Sequence, residues 1–242
     1  MSLAGARVLV TRAAEDAPEL EAMLRERGAL PVRMPCIAFE DGPDTGRIAR
    51  VVEQGGADLI VLSSPQAVRR FRALCPRTSI PVATVGAATA REWPGQATAP
   101  SRGAGAEALL AELGASVAGR RVLVARAEGG NPALVEGLRR AGALVEVCTL
   151  YRTVTAPAAD PGVLRQLRDG GVDAIAFASG SAARGFVALA GAAAAGPAAV
   201  ACMGRQCAEE ARKAGLRVDA VADGSLPELC DAVALALRKG RD

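Results

Sequence analysis

GADLIVLSSPQAVRRF (Gly56–Phe71) returns later in the chain as GVDAIAFASGSAARGF (Gly171–Phe186). In each copy a continuous apolar run, LIVL or AIAF, stops at a serine and passes into a helix-forming stretch. A strand without polar alternation is buried on both faces, as in a parallel sheet covered by helices. Strands that hand over to helices in this way make the fold class α/β.

The repeat is wider than this pair. RVLVTR (7–12) recurs as RVLVAR (121–126), 114 residues on. At the same spacing Pro18, Leu20, Leu24 and Gly28-Ala29-Leu30 recur as Pro132, Leu134, Leu138 and Gly142-Ala143-Leu144. ATVGAATA (83–90) pairs with ACMGRQCA (201–208). Order, spacing and residue type agree across three blocks, so one α/β pattern is written twice. Strands are expected near 7–11, 30–34, 58–62, 81–85 and 96–99, then near 121–125, 144–148, 173–177, 198–203 and 217–221. Between them lie amphipathic helices such as 18–28, with Leu20, Met23 and Leu24 on one face and Gly28 as the stop. MPCIAFE (34–40) and TLYRTV (149–154) follow strands, lack a helical pattern and read as linkers. The uncharged stretch 186–204 is mostly Ala and Gly with Pro197 inside it. It reads as a helix end, a loop and a buried strand, not as a membrane span.

Composition narrows the chemistry. A chain of 242 residues holds one large domain or two small ones. Aromatics are only 2%, so the core must be built from Ala, Val and Leu. There is no histidine, which removes the usual general base, the Ser-His dyad and the commonest metal ligand. The six cysteines contain no C-x-x-C and read as reduced thiols of a cytoplasmic protein, with no metal site. The net charge of +3 is mild and the Arg pairs are interleaved with acids, so no nucleic-acid stripe stands out. MSLAGARVLVTR runs into a strand without a long apolar region and is read as carrying no export signal.

In open parallel sheets ligands sit at the carboxyl ends of the strands. Six such ends are expected to lead into helix starts: Thr11-Arg12, Ser63-Ser64, Gly86, Arg126, Ser179-Gly180 and Gly204. Helix N-termini offer unpaired N–H groups and a partial positive charge, and so bind anions. A serine there is first of all a cap, and Ser64 before Pro65 is a good one. Two matched caps facing one cleft between two lobes would present hydroxyls and amides to the same molecule. Without histidine, these serines are expected to bind and not to attack. Nucleotide binding fits poorly, because VTRAAED and VARAEGG lack G-x-G-x-x-G, and GAGAEALL (103–110) reads as a loop. Tyr151, the only tyrosine, sits in a linker. A phenol, with an ordinary pKa of about 10, is a weak but neutral proton donor. Arg12, Arg126 and Arg152 flank the expected cleft and could grip carboxylates, though at least one is expected to be a plain solvated charge.

RVLVTRAAEDAPELEAMLRERGALPVRMPCI, DLIVLSSPQAV, VATVGAATA, GRRVLVARAEGG, GALVEVCTLYRTV, DAIAFASGSA and GLRVDAVADGSLPELCDAV together resemble the uroporphyrinogen-III synthase family over nearly the whole chain. The resemblance implies two flavodoxin-like domains with parallel sheets, interleaved in the chain. One takes 1–36 plus 155–242, the other 37–154, with linkers near 34–40 and 149–154 lying side by side as a two-strand ladder. It implies a hydro-lyase without cofactor or metal. Such an enzyme closes hydroxymethylbilane to uroporphyrinogen III, inverting the last pyrrole through a spiro-pyrrolenine, on the way to haem, sirohaem and cobalamin. The bilane also closes spontaneously without inversion, so the enzyme's task is chiefly to hold one conformation of a substrate bearing eight carboxylates.

By the same resemblance Tyr151 is the donor to the departing hydroxyl. Ser64 and Ser179 match the family's serines and Thr89 its first-half threonine. Together with the strand-end residues Arg12, Ser63, Gly86, Arg126, Gly180 and Gly204, and with Gln206 and Cys207, they are expected to bind substrate. The implied context is a cytoplasmic monomer that takes its substrate from hydroxymethylbilane synthase and binds neither nucleic acid nor membrane. Gly204-Arg205-Gln206-Cys207 departs from the family's Gly-x-x-Thr turn, so Gln206 or backbone amides would replace a lost hydroxyl. That departure keeps a second reading open, a non-catalytic anion-binding or regulatory relative of the same shape. A solute-binding protein, also two α/β lobes with a cleft, is a third; the unexported N-terminus speaks against it.

Overall fold

The structure, a computed structural model, describes residues 2–239. In chain order the elements are β1 (Arg7–Val10), α1 (Ala17–Glu26), β2 (Leu30–Arg33), β3 (Ile37–Asp41), α2 (Thr45–Glu53), β4 (Leu59–Leu62), α3 (Pro65–Leu74), β5 (Val82–Thr84), α4 (Ala87–Ala90), β6 (Ala97–Thr98) and α5 (Ala106–Leu113). There follow β7 (Arg121–Ala127), α6 (Pro132–Arg140), β8 (Leu144–Thr155), α7 (Pro161–Arg168), β9 (Ala174–Phe177), α8 (Gly180–Ala190), β10 (Ala199–Met203), α9 (Arg205–Lys213), β11 (Ala220–Ala222) and α10 (Leu226–Lys239). Met1–Phe39 with Thr153–Asp242 cluster as one unit, and Glu40–Arg152 as the other.

The first unit is built on a sheet of order β11-β10-β9-β1-β2, all pairs parallel. Counted along its own strands this is the flavodoxin-like order, which reverses direction between β1 and β9. Alternation on the strands divides the core. Leu9, Ile175, Phe177, Val200 and Cys202 face one way, toward Phe186 of α8 and Ala208 of α9. Val8, Val10, Ala174, Ala176, Ala199 and Ala201 face the other, toward Leu20 and Leu24 of α1 and Val233 of α10. Small alanines on that face let α10 lie close to the sheet. Phe177 and Phe186, edge to face at 5.6 Å, supply much of the aromatic bulk on the opposite side.

The second unit has the order β3-β8-β7-β4-β5-β6. From β8 to β6 it matches β2-β1-β9-β10-β11 position for position, with parallel pairing throughout. The chain visits these positions in permuted order, because β7 and β8 come after β4, β5 and β6. Its reversal point therefore lies between β7 and β4. Leu59, Val61, Val122 and Val124 pack there against Leu109 and Leu113 of α5 and Leu134 and Leu138 of α6.

Both reversal points carry the same staple at the amino ends of their strands. Asp58 accepts the Arg121 backbone N–H at 2.8 Å and pairs with its guanidinium, and Asp173 does the same for Arg7 at 2.7 Å. A third copy, Asp219 on the Val200 N–H at 2.8 Å, marks where β11 begins. This explains why that strand runs from 220 and not from 217 as expected: Asp219 is the staple and the strand follows it. Gly28 and Gly142, at positive φ, close α1 and α6 with the same pair of carbonyl bonds, Ala29 to Leu24 and Ala143 to Leu138.

The two segments expected as linkers are strands. Residues 37–41 form β3, and 149–154 continue β8 without a break, so that β8 is 12 residues long. The uncharged stretch 186–204 divides into the end of α8, a 3₁₀ turn at Ala192–Ala195 and β10. Among the described residues no helix is long and apolar enough to cross a membrane.

Candidate functional site

Tyr151 stands on β8, beside the carboxyl end of β7. The β7–β8 register runs regularly to Arg126↔Thr149 and then skips a residue, so that Ala127 faces Tyr151. The extra residue is a β-bulge, which kinks a strand and re-aims a side chain. Leu150 and Tyr151, consecutive residues, are both buried, at 1% and 6% exposure.

The phenol reaches past β7 to the end of β4. Tyr151 Oη lies 3.0 Å from Ser64 Oγ. Ser64 is also the N-cap of α3, accepting the Ala67 N–H at 3.0 Å. Extended backbone at Ser64 and Pro65 in the first turn fix that cap. Capping and the tyrosine contact therefore coexist on one hydroxyl, which has two lone pairs and one proton. Ser63, partly buried, precedes it at the same strand end.

In the first unit Ser179 caps α8 in the same manner, accepting the Ala182 N–H at 3.2 Å. Gly180 follows, and a Cβ there would lie 2.7 Å from the Glu210 Cβ, so close packing of α8 on α9 demands glycine. The other two glycine turns differ. Gly86 is extended, with φ 172°, whereas Gly204 takes the left-handed φ of 87° with open space around it. Gly204 is followed by exposed Arg205 and Gln206 at the N-terminus of α9.

Four of the six strand ends deliver directly into helices. After Arg12 and Arg126 a loop intervenes, and α1 and α6 begin only at Ala17 and Pro132. α4 is a single turn, so it adds little dipole behind Gly86. The arginines are engaged locally. Arg12 pairs with Glu19 at 3.2 Å, and Arg152 with Glu40 at 2.8 Å. Arg126 donates to the carbonyls of Gly130 (2.9 Å) and Asn131 (2.8 Å), bonds that leave its charge un-neutralised.

Two expected binding residues are buried. Cys207 is 4% exposed, and its thiol donates to the Phe177 carbonyl at 3.4 Å within the core. Thr89, its counterpart after Gly86, is also 4% exposed. The third residue of such a helix turns inward toward the sheet, so type at this position is set by packing. The missing threonine therefore costs no surface hydroxyl.

All six cysteines are free and buried. Burial pushes the Cys36 thiol up to about 12, whereas the hydrogen bond with Cys202 lowers Cys207. Among the described residues no group of three or more His, Cys, Asp or Glu could hold a metal ion.

Sequence reading singled out Ser64 and Tyr151 separately and missed their contact. It also missed Gly42 and Asp44, which touch β8 next to Tyr151.

Comparison with known proteins gives a consistent answer. The family model described as "Uroporphyrinogen-III synthase HemD" matches residues 18–228. A rice (Oryza sativa subsp. japonica) relative named "Uroporphyrinogen-III synthase, chloroplastic" is 29% identical over 224 residues, covering 87% of this chain and 73% of its own length. Among solved structures, uroporphyrinogen-III synthetase from Helicobacter pylori aligns with TM-score 0.61 and 15% identity, over 97% of this chain and 100% of that one. A mutant uroporphyrinogen III synthase from the extremely thermophilic bacterium Thermus thermophilus aligns with TM-score 0.55 and 21% identity, over 97% and 100%. These two are likenesses of fold. The family model covers most of the chain, and on that ground the chain belongs to the uroporphyrinogen-III synthase family.

Proposed function

We propose that this chain closes hydroxymethylbilane to uroporphyrinogen III with the Tyr151 phenol as proton donor to the departing hydroxyl. Family membership carries the reaction, cyclisation of the linear tetrapyrrole with loss of water in tetrapyrrole biosynthesis. The observation that carries the donor role is the 3.0 Å contact between Tyr151 Oη and Ser64 Oγ at the N-terminus of α3.

Ser64 accepts the Ala67 N–H and lies 3.0 Å from Tyr151 Oη. Either hydroxyl can donate in that contact, and with Ser64 as the donor the phenol is left its O–H to give to substrate. The pyrrole nitrogen pushes electrons toward the hydroxymethyl carbon, the C–O bond breaks, and the phenolic proton leaves with the oxygen as water. The electron-poor methylene carbon is then attacked by the far pyrrole at its already substituted α-position, which gives the spiro centre. The older bond from that position to the neighbouring methylene breaks, and the electron-poor methylene carbon so formed is captured at the pyrrole's free α-position, which inverts the ring. The proton released when the macrocycle regains its aromatic pyrroles returns to the phenolate. All of this uses the chain's own groups.

The barrier is lowered mainly by position. In our reading Ser63, Gly86 and Arg126 on one unit hold substrate carboxylates, as do Arg12, Ser179, Gly180, Gly204 and Gln206 on the other. Arg12 and Arg152 exchange Glu19 and Glu40 for substrate when it arrives. Cys207 and Thr89, both buried, stay outside this set. The reading extends to a cytoplasmic monomer supplied by hydroxymethylbilane synthase, and the six free cysteines support a reducing compartment.

Freshly made hydroxymethylbilane, added to the protein and oxidised for isomer separation, tests the activity. Uroporphyrinogen III is the expected product; isomer I alone would overturn the reading.

A further inference from the structure

Three hydrogen bonds take hold of β8 at the two residues before Tyr151, and all three come from Gly42-Pro43-Asp44. The Gly42 N–H donates to the Leu150 carbonyl at 2.9 Å, and the Asp44 N–H to the Thr149 carbonyl at 3.3 Å. The Asp44 carboxylate accepts the Thr149 N–H at 2.7 Å. This last bond is unusual for its place. Asp44 is the N-cap of α2, where an aspartate ordinarily accepts an N–H of its own helix. Here it makes no such bond, and its side chain is given to the strand.

Gly42 is fixed by space. A Cβ at that position would stand 2.1 Å from the Thr149 carbonyl oxygen, with the Leu150 carbonyl carbon at 2.8 Å. Only glycine lets the loop lie this close to the strand.

The place matters because the bulge is there. A strand with one residue too many has more than one way to pair, and each slip of one residue turns side chains to the opposite face. Holding Thr149 and Leu150 settles which residue is extra and therefore where the next side chain goes. We propose that Gly42 and Asp44 are positioning residues, a clamp that fixes the β8 bulge and sets where the Tyr151 phenol stands. Their bearing on catalysis rests on the donor role assigned to Tyr151 above.

Tyr151 is the only tyrosine, so isotope-labelled tyrosine gives one ring signal in NMR. Asp44→Ala is expected to move and broaden that signal, and to lower kcat about tenfold with KM near its starting value. Asp44→Asn keeps an oxygen for the Thr149 N–H and is expected to restore both. Gly42→Ala, checked for folding by circular dichroism, should move the signal in the same sense. In a Tyr151→Phe background, Asp44→Ala should cost no further rate. A ring signal unmoved in Asp44→Ala, or a further rate loss on top of Tyr151→Phe, overturns the clamp. The donor role is decided apart from this, by the rate of Tyr151→Phe alone.

Discussion

Ser64 Oγ and Tyr151 Oη lie 3.0 Å apart although 87 residues separate them in the chain. The parallel pairing of β4, β7 and β8 and the bulge in β8 bring them together, so the contact is a product of the sheet and not of any local motif. It joins a helix N-terminus to the chain's one phenol.

Ser64 and Ser179 are equivalent caps, and Ser64 Oγ lies in addition 3.0 Å from the tyrosine. Replacing either by alanine should remove a cap worth about 1 kcal/mol, or about 2–4 °C in Tm for a chain of this size. The kinetics should then part. Ser64→Ala should lower kcat, whereas Ser179→Ala should raise KM and leave kcat unchanged. Steady-state rates of the two variants beside their melting curves check this, and equal kcat in both would contradict the special place of Ser64.

Cys207→Ser should leave the rate of isomer III formation unchanged. The side chain is buried and its S–H already serves the Phe177 carbonyl, a bond a serine hydroxyl can take over. A clear gain or loss in KM would return position 207 to the substrate's surroundings.

The Asp58 staple gives a pH dependence. The Arg121 side chain, then its backbone N–H, hold the Asp58 carboxyl down at about 2, below its ordinary 3.8. A carboxylate favoured in the folded state stabilises above its unfolded pKa, and that contribution fades as pH falls toward the folded value. Stability from this pair is therefore complete above about pH 4 and lost between there and about pH 2. Urea midpoints measured from pH 5 to pH 2 should fall less steeply in Asp58→Asn than in the parent, and parallel curves would contradict the assignment.

Gly204 is held by its backbone angle and Gly86 is not. At φ 87° with open space around it, Gly204→Ala should cost about 1 kcal/mol from strain alone. Gly204→Asn should cost as much, since asparagine tolerates the αL region near ψ of about 47° and not the φ 87°, ψ 163° found here. Denaturant midpoints for the two variants make the comparison.

The fold was legible because the strands announce themselves twice. LIVL and AIAF are apolar throughout, and the matched blocks fix which strands correspond. The aspartates at 58, 173 and 219 were an unused signal. Each stands just before a strand and staples its neighbour, and the third would have placed β11 correctly. The site was legible only in its parts. Ser64, Ser179 and Tyr151 each have a local reason to be noticed, but a bulge leaves no trace in hydrophobic period, so the Ser64–Tyr151 contact could not be read. Spacing from Gly204 gives Cys207 a position along the helix, but which way the side chain turns is decided by the sheet beneath it. Gly42 and Asp44 look like an ordinary turn before a helix; only the close approach of β8 gives them a further part.

The most direct test of the central claim is the rate of isomer III formation from fresh hydroxymethylbilane by Tyr151→Phe, compared with the parent under the same conditions. The phenol as proton donor predicts a loss of tenfold or more, about 1.4 kcal/mol in the barrier, with the fold intact by circular dichroism. A Tyr151→Phe protein that makes uroporphyrinogen III at the parent's rate and isomer ratio would contradict it.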